Sequence, residues 1–503
     1  MKFDPNTPPP GSVRDWLDHR AETAGTDVAF RFFDGRPPLT WGELRTCARD
    51  LALRLTGKGL AKGESIAILQ PNGRVAVESL FGVLYGGFRA TVINLVAGDE
   101  AIGYALEHSE ARVALVNPEV TEQFDRVRPE NLRELEEDTA NIAPGLHSVD
   151  PQDDALLMYT SGTTGRPKGV VHSQSSLLAG GWTPTVAHEL SERDCGLCVL
   201  PLYHINGLCV SVMSTLISGG QLAIAGKFSA SQFWAQCKEC HATWFSVVPT
   251  IISHLLHANA TPDPQTRARL RFGRSASSAL SPDVQTTFET RFDVPIVETM
   301  GLTETAAQIL SNPLPPGVRK IGSPGKAFGN EACVLSPDLK PLPANVQGEI
   351  AVRGPNVMRE YLKNPQATKD TFTTDGWLRT GDLGHVDEDG YFFVTGRLKE
   401  LIIKGGENIA PREIDEALYS HPDVIEAAAF ARPCAVYGER VEAAVKLSEG
   451  SLVGPDDLIA VCRHKVGAFK APDIVHVLDD LPKGPSGKIQ RIKLVALTTS
   501  TSD

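Results

Sequence analysis

The chain has 503 residues, of which 42% are hydrophobic and 22% charged, ordinary globular usage that excludes a disordered, collagen-like or coiled-coil protein. At a usual domain size of roughly 150 residues, two to four structural units are expected. The net charge of −12, with no Lys/Arg-rich run set against it, argues against nucleic acid as a partner.

The opening MKFDPNTPPPGS places Asp4 and three consecutive prolines where an export signal needs an apolar run. The most apolar window, Gly196 to Ala225, is broken by Tyr203, His204 and Asn206, too soon for a membrane span of about 18 apolar residues. We therefore expect a cytoplasmic protein without a membrane partner, whose 9 cysteines are reduced thiols.

From Ser65 the sequence alternates short β-branched runs (SIAILQ, ATVINL, RVALV) with helix-length amphipathic runs (GRVAVESLFGVLYGG, DEAIGYALEHSEA). That alternation predicts parallel strands joined by crossover helices. It recurs from Leu197 (LCVLPL, QLAIA, TWFSVV, LRFGRS), so a large α/β body of layered sheets is expected. After about Asn330 the pattern changes. ACVLSP, GEIAVRG and LGHVDEDGYFFVTGR read as antiparallel hairpins, with Asp389-Gly390 a turn dipeptide. Beyond Gly396 a helix from Pro411, strands at VIEAAAFA and VEAAVKLS, a helix near Asp456 and a strand IVHVLD predict a small α+β domain. The expected division is 1–395 for the large N-terminal domain, with its β subdomain, 396–400 for a hinge and 401–503 for a mobile lid. The terminal TTSTSD reads as a frayed tail.

Two CxxC pairs, Cys195/Cys198 and Cys237/Cys240, the second followed by His241, share their spacing with zinc and haem motifs. The gap between the pairs is too long for a zinc ribbon and the first pair lies in an apolar strand. They are expected to be small core residues.

The richest stretch is YTSGTTGRPKGV, Tyr159 to Val170, which leaves a predicted strand. Thr160, Ser161, Thr163 and Thr164 supply hydroxyls, Gly162 and Gly165 free the backbone, and Lys168 adds charge. Backbone N–H groups crowding an anion, with hydroxyl donors and an ammonium, suit the β- and γ-phosphates of a nucleotide. Pro167 stands where a Walker A loop needs glycine, so this is a different phosphate loop. A plain polar surface loop is the competing reading.

With that loop in place, the chain resembles the adenylate-forming superfamily of acyl-CoA synthetases, firefly luciferase and nonribosomal adenylation domains. Further motifs stand in the same order: PLYHINGL at 201–208, ETMGLTE at 298–304, TGD at 380–382, GRLKELIIKGGENI at 396–409 and PKGPSGKIQR at 482–491. The resemblance implies an AMP-forming acid–CoA ligase using ATP, Mg2+ and coenzyme A. Thr303 and Glu304 would act at the phosphates, with Glu304 as the Mg2+ ligand. Asp382, on a turn between strands, would take the ribose hydroxyls, and Arg397 would approach ribose and phosphate. Lys399 would be the hinge, Lys488 the cation bridging acid and α-phosphate, and Gly405-Gly406 the wall of the pantetheine tunnel after a lid rotation. Alternatives are a standalone enzyme loading a carrier-protein pantetheine and a nucleotide sensor without chemistry.

FSASQFW, ATWFSVVPTI, RSASSALSP and SNPLPPG resemble the oxalate–CoA ligase branch, which implies a short polar acid. His204, Arg274, Ser277 and Met300 are the expected substrate-side residues, with Arg274 a partner for a second anionic group. An outward-facing strand-end arginine is the alternative. Met300 replaces a tyrosine common in the family, and Ala279 a proline, so oxalate, sulfoacetate and malonate all stay open as substrates.

Overall fold

A computed structural model of the chain describes residues 3–135, 145–160, 167–484 and 488–498. A nine-stranded and a seven-stranded sheet form the body. In the first, Gln221–Ile224, Cys195–Cys198, Trp244–Val247, Phe272–Ser275 and Ile296–Leu302 run parallel as neighbours. In the second, Arg89–Val92, Ser65–Leu69 and Val113–Val116 are parallel. The expected crossover pattern is thus realised, and Arg74–Gly86, buried at ten of its thirteen positions, is the helix the apolar run predicts.

The loop-bearing strand Asp154–Tyr159 is parallel to Arg89–Val92 on one side and antiparallel to Gly169–Ser173 on the other. The hydroxyl-rich stretch thus leaves a strand, as expected, and the chain re-enters the sheet antiparallel beside it at Gly169. At the end of the other sheet, Ile296–Leu302 turns back antiparallel to Ala307–Ser311. Gly301 is obligatory there: a Cβ would lie 1.8 Å from the Ala307 carbonyl oxygen.

A four-stranded sheet, carrying Glu331–Leu335, Gly348–Arg353, Leu378–Val386 and Phe392–Arg397, follows. All its pairings are antiparallel, as the hairpin reading requires. Asp382 is paired with Arg397 across neighbouring strands. This corrects the expectation of a turn: the aspartate sits within Leu378–Val386, and the turn-like signal comes from Gly381, whose φ of 74° is left-handed.

The last sheet brings Val424–Cys434, Gly438–Leu447 and Ile474–Val477 together with a hairpin, Ile402–Lys404 and Glu407–Ile409. Helices Pro411–Tyr419 and Pro455–Lys470 pack on it around Ile402, Ile414, Leu418, Val441 and Leu458. This small core is separate from the large one, in which Phe233, Phe245 and Phe288 interlock. Cys195, Cys198, Cys237 and Cys240 are buried in that large core. Among the described residues no helix is long and apolar enough to cross a membrane. The tail TTSTSD lies almost wholly outside the described residues.

Candidate active site

The hairpin between Asp154–Tyr159 and Gly169–Ser173 closes through a Thr160 N–H donated to the Lys168 carbonyl at 2.9 Å. Ser161, Gly162, Thr163, Thr164 and Gly165 lie outside the described residues. The Lys168 ammonium stands 4.3 Å from the centre of the Tyr361 ring, a cation–π contact. The same tyrosine donates its hydroxyl to Glu304 Oε1 at 2.7 Å. Burial and the Glu304 charge push the phenol far up, so it remains a donor.

Glu304 makes no ion pair among the described residues, and Thr303 is fixed behind it by His172 Nε2 at 2.7 Å from its carbonyl oxygen. One oriented carboxylate, unpaired with any cation among the described residues and linked through Tyr361 to Lys168, has the chemistry of a Mg2+ ligand, an ion that takes few protein carboxylates and completes its shell with phosphate oxygens and water.

An interdomain cavity opens beside this group. Its lining includes Ser277, Met300, Asp382, Arg397, Glu400 and Lys488. Arg397 Nε donates to Asp382 Oδ1 at 2.6 Å; the Asp382 charge drives the guanidinium pKa up against burial. Lys488 Nζ is 3.5 Å from Glu400 Oε1, and Arg491 Nε is 3.5 Å from Glu400 Oε2. Arg491 also grips Asp415 at 2.5 Å. Burial, then the positive Arg397, lowers the Lys488 pKa. For Glu400, burial is outweighed by Lys488, Arg491 and Arg397, which hold it below the usual carboxylate range.

Glu298 is a further wall residue. Its Oε1 accepts the Leu280 N–H at 3.1 Å, while Oε2 has no hydrogen-bond partner among the described residues. Burial raises its pKa to about 6.

Arg274 and His204 are not among the residues lining the cavity. Arg274 is neither outward-facing nor at its surface: it is 1% exposed. Its Nη1 donates to Asn206 Oδ1 at 2.7 Å and to Ser246 Oγ at 3.2 Å, and its Nε to Gln308 Oε1 at 3.1 Å. Burial pushes its pKa to about 9, so it is still a cation at neutral pH, and none of the ion pairs among the described residues includes it. Asn206 carries the link to the cavity wall by donating to Ser277 Oγ at 3.3 Å. Ser277 holds a φ of 75°, a strained conformation for a side-chain-bearing residue and of the kind found at ligand sites. His204 is neutral, its pKa lowered to about 4 by burial.

Gly405 and Gly406 form the exposed turn of the Ile402–Ile409 hairpin, with φ of 60° and 86°, and are not part of the cavity lining. The structure thus gathers Lys488, Asp382, Arg397, Ser277 and Met300 at one cavity, and Lys168 with Glu304 around Tyr361. Sequence reasoning missed Tyr361, Glu298, Glu400 and Arg491. The last three lie inside quoted motifs, ETMGLTE, GRLKE and GKIQR; no local pattern marks Tyr361.

Fold and site together define an AMP-forming acid–CoA ligase, working with ATP, Mg2+ and CoA. The chain belongs to the AMP-binding enzyme family: the family model matches residues 17–362, and that of the AMP-binding enzyme C-terminal domain matches 413–488. It is similar to the sulfoacetate–CoA ligase of Cupriavidus necator, 44% identical over 480 residues, 92% of this chain and 93% of that protein. It is similar to the oxalate–CoA ligase of Arabidopsis thaliana, 36% identical over 478 residues, 91% and 93% of the two chains. The structure of ATP-bound MatB from Rhodopseudomonas palustris matches with a TM-score of 0.88 at 28% identity, over 98% of this chain and 99% of that one.

Proposed function

We propose that the acid activated is short and carries a second anionic group, as sulfoacetate and oxalate do. The observation that carries this reading is Arg274: a buried guanidinium with three neutral partners and no counter-ion among the described residues. A buried charge left unpaired is costly, and a ligand anion held at Ser277 and Asn206 would supply the missing negative charge. Arg274 then acts through Asn206, from one side-chain layer behind the wall, and the similar acids named in the two relatives share the required chemistry.

In the first step the carboxylate oxygen bonds to the α-phosphorus of ATP as the bond to the β-phosphate oxygen breaks, releasing pyrophosphate. Lys488 would leave Glu400 to neutralise charge on the carboxylate and α-phosphate, by preorganised electrostatics. Thr160 and Lys168 would hold the β- and γ-phosphates, Asp382 the ribose, and Glu304 with Thr303 the metal end of the triphosphate. Bound there, Mg2+ neutralises phosphoryl charge. In the second step the CoA thiol gives up its proton, its sulfur bonds to the acyl carbon, and AMP leaves. Residues 396–400, with Lys399 as pivot, would join the large domain to the lid and let Gly405-Gly406 reach the pantetheine arm.

The test is a panel of acids scored for pyrophosphate release and thioester formation. Sulfoacetate, oxalate and malonate should exceed acetate and propionate in kcat/KM, and Arg274→Met should lower the first group by about tenfold or more while sparing the second. A preference for long fatty acids, or an equal loss for both groups in the variant, would overturn the reading.

A further inference from the structure

The helix Pro249–His257 of the large domain meets the lid strand Val424–Cys434 through a run of polar contacts. Ser253 Oγ donates to the Ile425 carbonyl at 2.5 Å, and His257 Nε2 lies 3.3 Å from the Pro422 carbonyl. Between them, His254 Nε2 is 3.0 Å from Glu426 Oε1. The Glu426 side chain is fully buried, and its Oε2 lies 2.9 Å from the Lys483 ammonium, which also holds Asp480 at 2.7 Å. Burial opposes the ionisation of Glu426, but the His254 hydrogen bond and the Lys483 charge hold its pKa below the usual range.

Lys483 is the root of the segment that presents Lys488. It bridges Ile489 in antiparallel fashion, and Gly484 N–H donates to the Lys488 carbonyl at 2.7 Å. One buried carboxylate therefore ties the large domain to the base of the Lys488 hairpin. Removing either partner strands a desolvated oxygen, so the grip holds only while the lid is docked in this orientation. In this orientation Lys488 faces the cavity while the Gly405-Gly406 turn does not, so the two steps of the reaction cannot both be served by it.

We propose that Glu426, clasped between His254 and Lys483, is a positioning latch: it stabilises the lid orientation used for acyl-adenylate formation and takes no part in thioester formation. The proposal deepens the acid–CoA ligase reading and rests on it for its two-step readout.

The test compares the full chain with His254→Ala, His254→Gln and Glu426→Ala. Pyrophosphate release is measured with Mg-ATP and sulfoacetate, and thioester formation separately from chemically prepared sulfoacetyl-adenylate and CoA. His254→Ala and Glu426→Ala should slow the first reaction about tenfold, the effect of one lost charge-assisted hydrogen bond, and leave the second within about twofold. His254→Gln, which keeps a donor at similar reach, should recover the first. Equal losses in both reactions, no loss in the first, or no recovery with glutamine overturns the latch. If Glu426→Ala fails to fold, His254 decides, because its side chain is already 33% exposed. Should the unaltered protein release no pyrophosphate with sulfoacetate or any other acid of the panel, the substrate reading fails, and small-angle scattering with Mg-ATP then judges the latch. A larger radius of gyration for His254→Ala than for the unaltered protein supports it, and identical profiles overturn it.

Discussion

The cations of the wall and those of the lid are treated in opposite ways. Behind the wall, Arg274 is sealed among the neutral side chains of Asn206, Ser246 and Gln308. On the lid, Lys488 has Glu400, Arg491 has Asp415, and Lys483 has Glu426 and Asp480. A fixed cation that serves a bound anion gains from having no carboxylate to compete with it. A cation on a domain that moves needs a protein partner whenever the ligand is absent, since a buried charge without one is unstable. Lys488 has only the 3.5 Å pairing with Glu400 among the described residues, whereas Arg491 adds a 2.5 Å pairing with Asp415 to its own 3.5 Å contact with Glu400, a contrast that fits the proposed hand-over of Lys488 to a substrate.

Substitutions at three positions break or sharpen this contrast. The largest effect is expected from Lys488→Ala, which should reduce acid-dependent pyrophosphate release by about a hundredfold or more, the scale of losing one electrostatic group at developing charge. Equilibrium dialysis with ATP should show binding changed far less; loss of binding to the same degree would make Lys488 an anchor rather than a catalyst.

Next comes Glu298, an acid at the boundary of wall and lid. Its pKa is raised from 4.5 to about 6 by burial, so the folded protein favours the protonated form. Its stabilising contribution is complete below pH 4.5 and is lost as the pH climbs through about 6. Glu298→Gln should remove this loss, worth about 2 kcal/mol from a shift of that size. The melting midpoint of the variant should gain on that of the unaltered protein between those two pH values, and a constant offset would refute the assignment.

The smallest effect belongs to the phosphate side. Tyr361→Phe removes the hydroxyl that orients Glu304 but keeps the ring under Lys168. The KM for Mg-ATP should rise about fivefold with kcat changed less, the cost of one hydrogen bond to a charged group. Tyr361→Leu, which removes both contacts, should do more.

The parallel body, the antiparallel subdomain and the small α+β unit were legible because each is written in period-2 or period-3.6 hydrophobic patterning that survives tertiary packing. Asp382 was misplaced because a left-handed Gly381 gives a turn signal that pairing into a strand overrides. Tyr361 escaped notice because it lies 57 residues from Glu304 and belongs to a two-residue strand, Glu360–Tyr361, with no motif around it.

Residue order alone determined the layers and the run of motifs that carries the family resemblance, since these depend on local periodicity and on groups close together along the chain. Only the folded arrangement decided that Arg274 stands without a counter-ion among the described residues, that Glu400 holds Lys488, and that Glu426 pairs with both His254 and Lys483. Those facts depend on distances between residues far apart in sequence and on the exclusion of water around them, and burial sets the energy of a charge more than its neighbours in the chain do.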